Sequence, residues 1–234
     1  LRIFQAEQES MGELRKDYVL EKFVIVPSTD QSAALERHLS PASETRCAYC
    51  PGNESMTEPA LLALVVKDGM LQRLSDSDDS VVEDWSVRVF QNSKPIVATG
   101  PTANYSEKPL YSEPAYGYHQ IVVAAPDHDL SLSQMQVEQW ANVLVVVQDR
   151  VRWLYTQKGV TYVSIYVNSG AGAGAEMRHP HLHIVTFSGI PPQIEMEAES
   201  SHRFMNENGN CPACNIIAIE SSGPRQILAT DSFL

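Results

Sequence analysis

Three histidines alternate in His179-Pro180-His181-Leu182-His183, ahead of the apolar pair Ile184-Val185. On a regular strand, residues two apart point to one face, so these imidazoles would share a surface at steps of roughly 6–7 Å. His179 and His183 would then stand about 13 Å apart, whereas zinc–nitrogen bonds are about 2 Å. One metal cannot collect all three, so the histidines must differ in role; a metal shared by His179 and His181 is the simpler alternative. A neutral imidazole can attack a phosphorus atom and form a nucleotidyl-histidine. Attack by one ring nitrogen requires the proton on the other, and a backbone carbonyl near His179 could hold that tautomer. A second pattern is Cys47-Ala48-Tyr49-Cys50. Two thiolates on a tight turn can hold one edge of a tetrahedral zinc; a redox pair is the alternative, without a thioredoxin-like βαβ context to support it. The Gly170–Ala175 loop offers backbone N–H groups to phosphoryl oxygens, or is a plain turn; it is not a P-loop, since no Gly-Lys-Ser/Thr follows.

Strands and turns must bring these fragments together. Tyr18–Pro27 and Trp85–Phe90 read as strands, and Gln120–Ala125 as a buried strand ending at Pro126-Asp127-His128. A polar stretch, Ser28–Ser32, leads to a short helical piece at Ala33–His38, and Cys47–Pro59 is a loop. Gln91–Ser112, with its prolines, reads as a long connection. The clearest helix opens at Ser133, with Ser133 and Gln136 as a capping-box pair, and Gly159 closes it. Val137, Trp140, Leu144, Val147, Val151 and Leu154 recur in it at helical spacing. Thr161–Asn168 and His181–Phe187 are strands, and Pro191–Asn210 reads as a polar loop. The expected class is α+β: a mostly antiparallel sheet with the Ser133–Lys158 helix packed on one face.

Taken together, the fragments resemble the galactose-1-phosphate uridylyltransferase family, a branch of the histidine-triad superfamily. The resemblance begins at Leu14-Arg15-Lys16-Asp17 and Phe23–Pro27. It runs through Cys47–Glu54, Val87–Asn92, Gly117-Tyr118-His119 and Ala125–His128, and ends with Asn168-Ser169-Gly170, Ala173-Gly174-Ala175 and His179-Pro180-His181. It implies a histidine-triad-like fold, a zinc ion on Cys47, Cys50, His128 and His179, and His181 as nucleophile. By the same resemblance Asn92 and Ser93 sit beside the nucleotide ribose, while Asn168, Gly174 and Glu176 join His183 around the phosphates. The implied reaction is ping-pong transfer of a nucleotidyl group between a nucleotide sugar and a sugar 1-phosphate, uridylyl favoured over adenylyl. A homodimer is among the assemblies it allows.

The chain departs from the family at three phosphate-handling positions. His183 stands where Gln is usual, Glu176 where Ser is usual, and Ser28-Thr29-Asp30-Gln31 where arginines are usual. An imidazolium at His183, ordinarily titrating near pH 6.5, would replace some of that charge and could pair with Glu176. His183 also suggests a rival: a phosphorylase or hydrolase of nucleotide sugars or dinucleoside polyphosphates. Glu176 and the absent arginines suggest another, a non-catalytic zinc-stabilised nucleotide-binding module. Residues 1–190 read as the catalytic domain with its zinc site. Cys211-Pro212-Ala213-Cys214 and the segment to Leu234 resemble the opening of the family's second half, so 191–234 reads as a truncated second unit, from a fragment or a shortened member. That second cysteine pair holds another zinc or is left as free thiols.

The bulk numbers limit the partners. Of 234 residues, 43% are hydrophobic and 20% charged, ordinary values for a globular chain, and the net charge is −12. Phosphate neutralisation along a nucleic acid needs clustered Lys and Arg, so no nucleic-acid partner is expected. No apolar run reaches the ~18–20 residues of a membrane span. Leu1-Arg2-Ile3-Phe4-Gln5 lacks a secretory layout, which points to the cytoplasm.

Overall fold

The computed structural model describes residues 13–16, 23–26, 46–100, 105–107, 110–175 and 177–221. The expected helical piece at Ala33–His38 and Glu176 lie outside them. The chain divides into two compact units, Leu1–Gly189 and Ile190–Leu234.

The first unit carries two sheets, antiparallel throughout their strand pairings. The smaller has the order β2 (Phe23–Val26), β1 (Glu13–Lys16), β7 (Leu110–Pro114), β6 (Tyr105–Glu107). The larger has the order β4 (Met70–Leu74), β3 (Ala60–Lys67), β5 (Trp85–Gln91), β8 (His119–Val123), β10 (His181–Phe187), β9 (Tyr162–Tyr166). Helix α1 (Val137–Leu154) packs on one face of this sheet. Its buried Val143, Val146, Val147 and Leu154 recur at helical spacing and meet Val87, Val89, Val122, Leu182 and Ile184. Strand alternation then sends the neighbouring residues to the opposite face, where Phe90, Ile121 and Val123 form a second cluster. His181 and His183 alternate with Leu182 and Ile184 on β10, so they too leave the helix side. The fold is thus α+β, as expected.

Several local expectations need correction. Helix α1 starts at Val137, not Ser133, and Gln136 at its N-cap makes no side-chain capping bond. Ser133 lies in a 3-10 turn over Leu132–Gln134, and it is the Ser131 hydroxyl that donates to Gln134 Oε1, at 2.7 Å. Met135 is extended and buried in the core under α1, which separates the turn from the helix. The Gln91–Ser112 connection contains β6 and the start of β7. The β3–β4 hairpin is an addition to the expected elements; Asp68 and Gly69 take φ of 52° and 74°, as a two-residue hairpin turn requires.

The second unit, described to residue 221, is helical: α2 (Pro192–Asn208) and α3 (Pro212–Glu220). Pro191–Asn210 is therefore a helix with short flanks rather than a polar loop. Pro192 opens it and Gly209, at φ 72°, closes it. Among the described residues no helix is long and apolar enough to cross a membrane.

Candidate nucleotide and metal site

The site begins where β8 and β10 end side by side. The chain leaves β8 through Ala125 toward His128, and enters β10 through His179 and Pro180. His179 precedes the strand rather than belonging to it, which corrects the picture of three histidines on one regular ladder. The bend lets His179 face Cys47 and Cys50 while His181 and His183 follow the pleat.

Cys47, Cys50, His128 and His179 bring one ligand atom each within 4.8 Å of one another. Cys50 Sγ lies 3.5 Å from His128 Nδ1 and 3.6 Å from His179 Nδ1, and Cys47 Sγ lies 3.9 Å from His179 Nδ1. A tetrahedral zinc with ordinary bond lengths separates nitrogen and sulfur ligands by about 3.5 Å, so the four donors fit that ion. The second ring nitrogen of His179, Nε2, donates to the Ala125 carbonyl at 2.7 Å, which leaves the Nδ1 lone pair for a metal. Burial, the largest influence, pushes the His179 pKa down, and a neutral ring is the ligating form. The Tyr49 backbone N–H donates to Cys47 Sγ at 3.4 Å, and Asn53 closes the turn by donating to the Cys47 carbonyl at 2.7 Å. These residues could hold a metal ion with no coordination position left over, the pattern of a structural site.

His181 stands beside this cluster and is buried. Its Nδ1–H donates to the His179 carbonyl at 2.8 Å, so the lone pair sits on Nε2. Tyr49 links the two centres, with its ring 6.3 Å from that of His179 and 5.4 Å from that of His181. Tyr49 also lines a pocket of about 210 Å³ with Phe90, Asn92, Ser93, Lys94 and Met177. The structure thus brings Asn92 and Ser93 to the concave surface next to the nucleophile candidate. Asn92 Oδ1 accepts the Lys94 N–H at 2.9 Å, turning its Nδ2 toward His119.

His183 lies between β8 and β9. It pairs in register with Ile121 on one side and Tyr166 on the other, and the Tyr166 ring stacks on it at 4.8 Å and 6°. Its Nδ1 is 2.9 Å from Nε2 of His119. Burial, then the neighbouring His181 and His119, pushes the His183 pKa down to about 3. The ring is therefore neutral at pH 7 and does not replace the absent arginine charge, contrary to the sequence expectation. Asn168 follows β9, and its Nδ2 would lie 3.9 Å from a Cβ built on Gly174. Within the glycine loop, the N–H groups of Ala173 and Ala175 both turn back to the Gly170 carbonyl, at 3.0 and 3.2 Å. Those two donors serve the turn itself. Cys211 and Cys214 join no group of three or more metal-capable side chains among the described residues. Two participants carried no role in the sequence reading: Tyr49, inside the cysteine turn, and His119, inside the Gly117-Tyr118-His119 motif.

Comparison with known proteins finds similar chains over most of this chain's length. Residues 78–191 match the model of the galactose-1-phosphate uridyl transferase N-terminal domain. A galactose-1-phosphate uridylyltransferase of Thermotoga maritima is 28% identical over 227 residues, covering 96% of this chain and 61% of that protein. An ADP-glucose phosphorylase of Arabidopsis thaliana is 25% identical over 215 residues, covering 86% of this chain and 56% of that protein. A solved uridylyltransferase structure superposes with a TM-score of 0.69 at 22% identity, over 93% of this chain and 59% of that one. The chain thus spans roughly six-tenths of the length of these relatives. By these likenesses the chain is similar to galactose-1-phosphate uridylyltransferases, and it shares the fold of the solved uridylyltransferase.

Proposed function

We propose that this chain carries out nucleotidyl transfer between a nucleotide sugar and a sugar 1-phosphate, with His181 holding the nucleotidyl group between two displacements. The observation that carries this reading is the ring state of His181. Its proton is held on Nδ1 by the His179 carbonyl, and its Nε2 lone pair stands on a buried surface next to a concave pocket. In the first displacement Nε2 attacks the α-phosphorus, the bond from phosphorus to the sugar-phosphate oxygen breaks, and that oxygen leaves with the electron pair. The proton stays on Nδ1 throughout, donated to the His179 carbonyl. In the second, an acceptor phosphate oxygen attacks phosphorus, the P–N bond breaks and Nε2 regains its lone pair. Asn92 and Ser93 would face the nucleoside, and Asn168, Gly174 and Glu176 with His183 the phosphates. Zinc, when held by Cys47, Cys50, His128 and His179, supplies structural rigidity to the turn that carries His179. Its ligand His179 thereby fixes the carbonyl that orients His181.

A phosphorylase reading differs only in the acceptor, and the similarity to an ADP-glucose phosphorylase favours keeping it. The test is intact-mass spectrometry of the zinc-loaded protein after incubation with UDP-glucose or ADP-glucose. A gain of one nucleoside monophosphate is expected, lost on chasing with hexose 1-phosphate. Discharge by inorganic phosphate alone would transfer the assignment to the phosphorylase. An unmodified mass with both donors would leave a zinc-stabilised binding module.

A further inference from the structure

The hydrogen bonds behind His183 form a directed chain that starts at a group with only one possible role. The backbone N–H of Ile96 points at His119 Nδ1, 3.2 Å away. A backbone N–H can only donate, so His119 Nδ1 must accept. A neutral imidazole has one proton, which is then on Nε2. That Nε2–H faces His183 Nδ1 at 2.9 Å, so Nδ1 of His183 accepts in turn. The only nitrogen left for the proton of His183 is Nε2. Asn92 Nδ2 lies 3.3 Å from Nδ1 and 3.2 Å from Nε2 of the His119 ring, so the direction of the chain is set by the Ile96 N–H alone.

We infer that His119 is a positioning residue that holds His183 as its Nε2–H tautomer, so that His183 presents a neutral N–H donor beside His181. That this donor meets a phosphoryl oxygen rests on the function proposed above. The chain requires both rings to be uncharged, because an extra proton would set N–H against N–H at one of its links. The surroundings meet that requirement. His119 is 2% exposed, and burial pushes its pKa down to about 4. The groups facing His183 are His119 from β8, His181 from its own strand and Tyr166 from β9, and each is uncharged or itself disfavours a cation there. The link is diagonal across the ladder. His183 stands opposite Ile121, and His119 is two residues away on the same face of β8.

A phosphoryl group gains from a donor already oriented toward it, because no reorganisation is needed as charge shifts. His183 thereby does the work of an amide N–H without the amide's freedom to rotate. It does so across the neutral pH range, with no titration step.

The test reads the tautomers directly. The protein is made with histidine labelled with nitrogen-15 in both ring positions, and one- and two-bond couplings show which nitrogen of His183 is protonated. The expected result is Nε2–H alone from pH 6 to 8. His119→Phe should convert His183 to a mixture of tautomers, or to Nδ1–H, and lower the rate of adduct formation about tenfold with little change in KM, the worth of one hydrogen bond in the transition state. His119→Gln, whose amide can still donate to His183 Nδ1, should restore both the tautomer and most of the rate. Zinc content of each variant reports whether it has folded. Should His119→Phe fail to fold, the wild-type spectrum and His119→Gln still decide. An Nδ1-protonated or cationic His183 in the wild type would overturn the inference, as would an unchanged Nε2–H in folded His119→Phe. If the tautomers are as expected but no nucleotide sugar forms an adduct, the proposed function fails and the positioning role of His119 stands.

Discussion

His179 and His181 are two residues apart, yet they offer opposite ring nitrogens, because a backbone carbonyl accepts a hydrogen bond from a different ring N–H in each. Ala125 holds Nε2–H of His179 and so frees Nδ1 for the cysteines, while the His179 carbonyl holds Nδ1–H of His181 and so leaves the lone pair on Nε2. Their substitutions should separate. His181→Ala should keep one zinc per chain and form no adduct, whereas His179→Ala should lose zinc affinity; metal analysis beside intact-mass measurement checks both. Equal zinc loss in the two variants would restore the shared-metal alternative. His119 and His183 make a second prediction, about stability. Their folded pKa values, about 4 and about 3, lie below the ordinary value near 6.5. Between those limits the unfolded chain binds more protons than the folded one. Stability is therefore fully present above about pH 6.5 and falls as pH drops toward 4, by up to about 1.4 kcal/mol per pH unit for each group. Urea unfolding from pH 7 to pH 5 should show a shallower decline for His183→Gln than for wild type; identical slopes would mean that His183 is not buried neutral. The histidine motif announced itself in the sequence through residue type and spacing. The role of His119 did not, because its link to His183 exists only once β8 and β10 are in register.

At the scale of elements, the strands that carry the site were legible and several of their supports were not. β5, β8, β9 and β10 show β-branched or apolar runs bounded by turn residues, and their ends fall within a few residues of expectation. Helix α2 escaped notice because none of its residues is buried, so it has no apolar stripe to read. Its Pro192 and Gly209 were the available signals. The β3–β4 hairpin likewise had Asp68-Gly69 between apolar runs. Less legible still is the buried pair of Arg88 on β5 and Asp76 after β4, 2.9 Å apart with each side chain 3% exposed. Burial alone would raise the Asp76 pKa. The N–H groups of Ala60 and Val82, at 2.7 and 2.8 Å, together with Arg88, outweigh it and hold the carboxyl below its usual range. One carboxylate thus ties the start of β3, the approach to β5 and the guanidinium together. Asp76→Ala should cost about 3–5 kcal/mol in urea unfolding, since it leaves Arg88 buried and uncompensated. Replacing both, with Arg88→Met and Asp76→Leu, should recover most of that loss, while a cost below about 1 kcal/mol for the single change would show that Arg88 reaches water.

For the molecule as a whole, the cysteine–histidine cluster acts across long stretches of chain. Cys50 and His128 are 78 residues apart, Cys50 and His179 are 129 apart, and Cys47 and His179 are 132 apart. Three separate segments, the Cys47–Pro51 turn, the exit from β8 and the entry to β10, therefore meet at one point. Their apolar contacts alone are modest there: of the four ligands only Cys47 and His179 are buried, and Tyr49 is the ring that packs between this cluster and the sheet. An ion at that point binds the folded arrangement and not the dispersed segments, so it adds to stability by mass action, by about 4 kcal/mol when free zinc exceeds its dissociation constant a thousandfold. Cys47→Ser with Cys50→Ser should remove the metal and that increment together. The unfolding midpoint of the wild type should rise with added zinc and fall with a chelator, and the double variant should respond to neither. Because His181 takes its orientation from the His179 carbonyl, the double variant should also lose adduct formation even where its sheet remains folded by circular dichroism. A double variant that kept one zinc per chain, or that formed the adduct at the wild-type rate without zinc, would separate the cluster from the metal and from the nucleophile respectively.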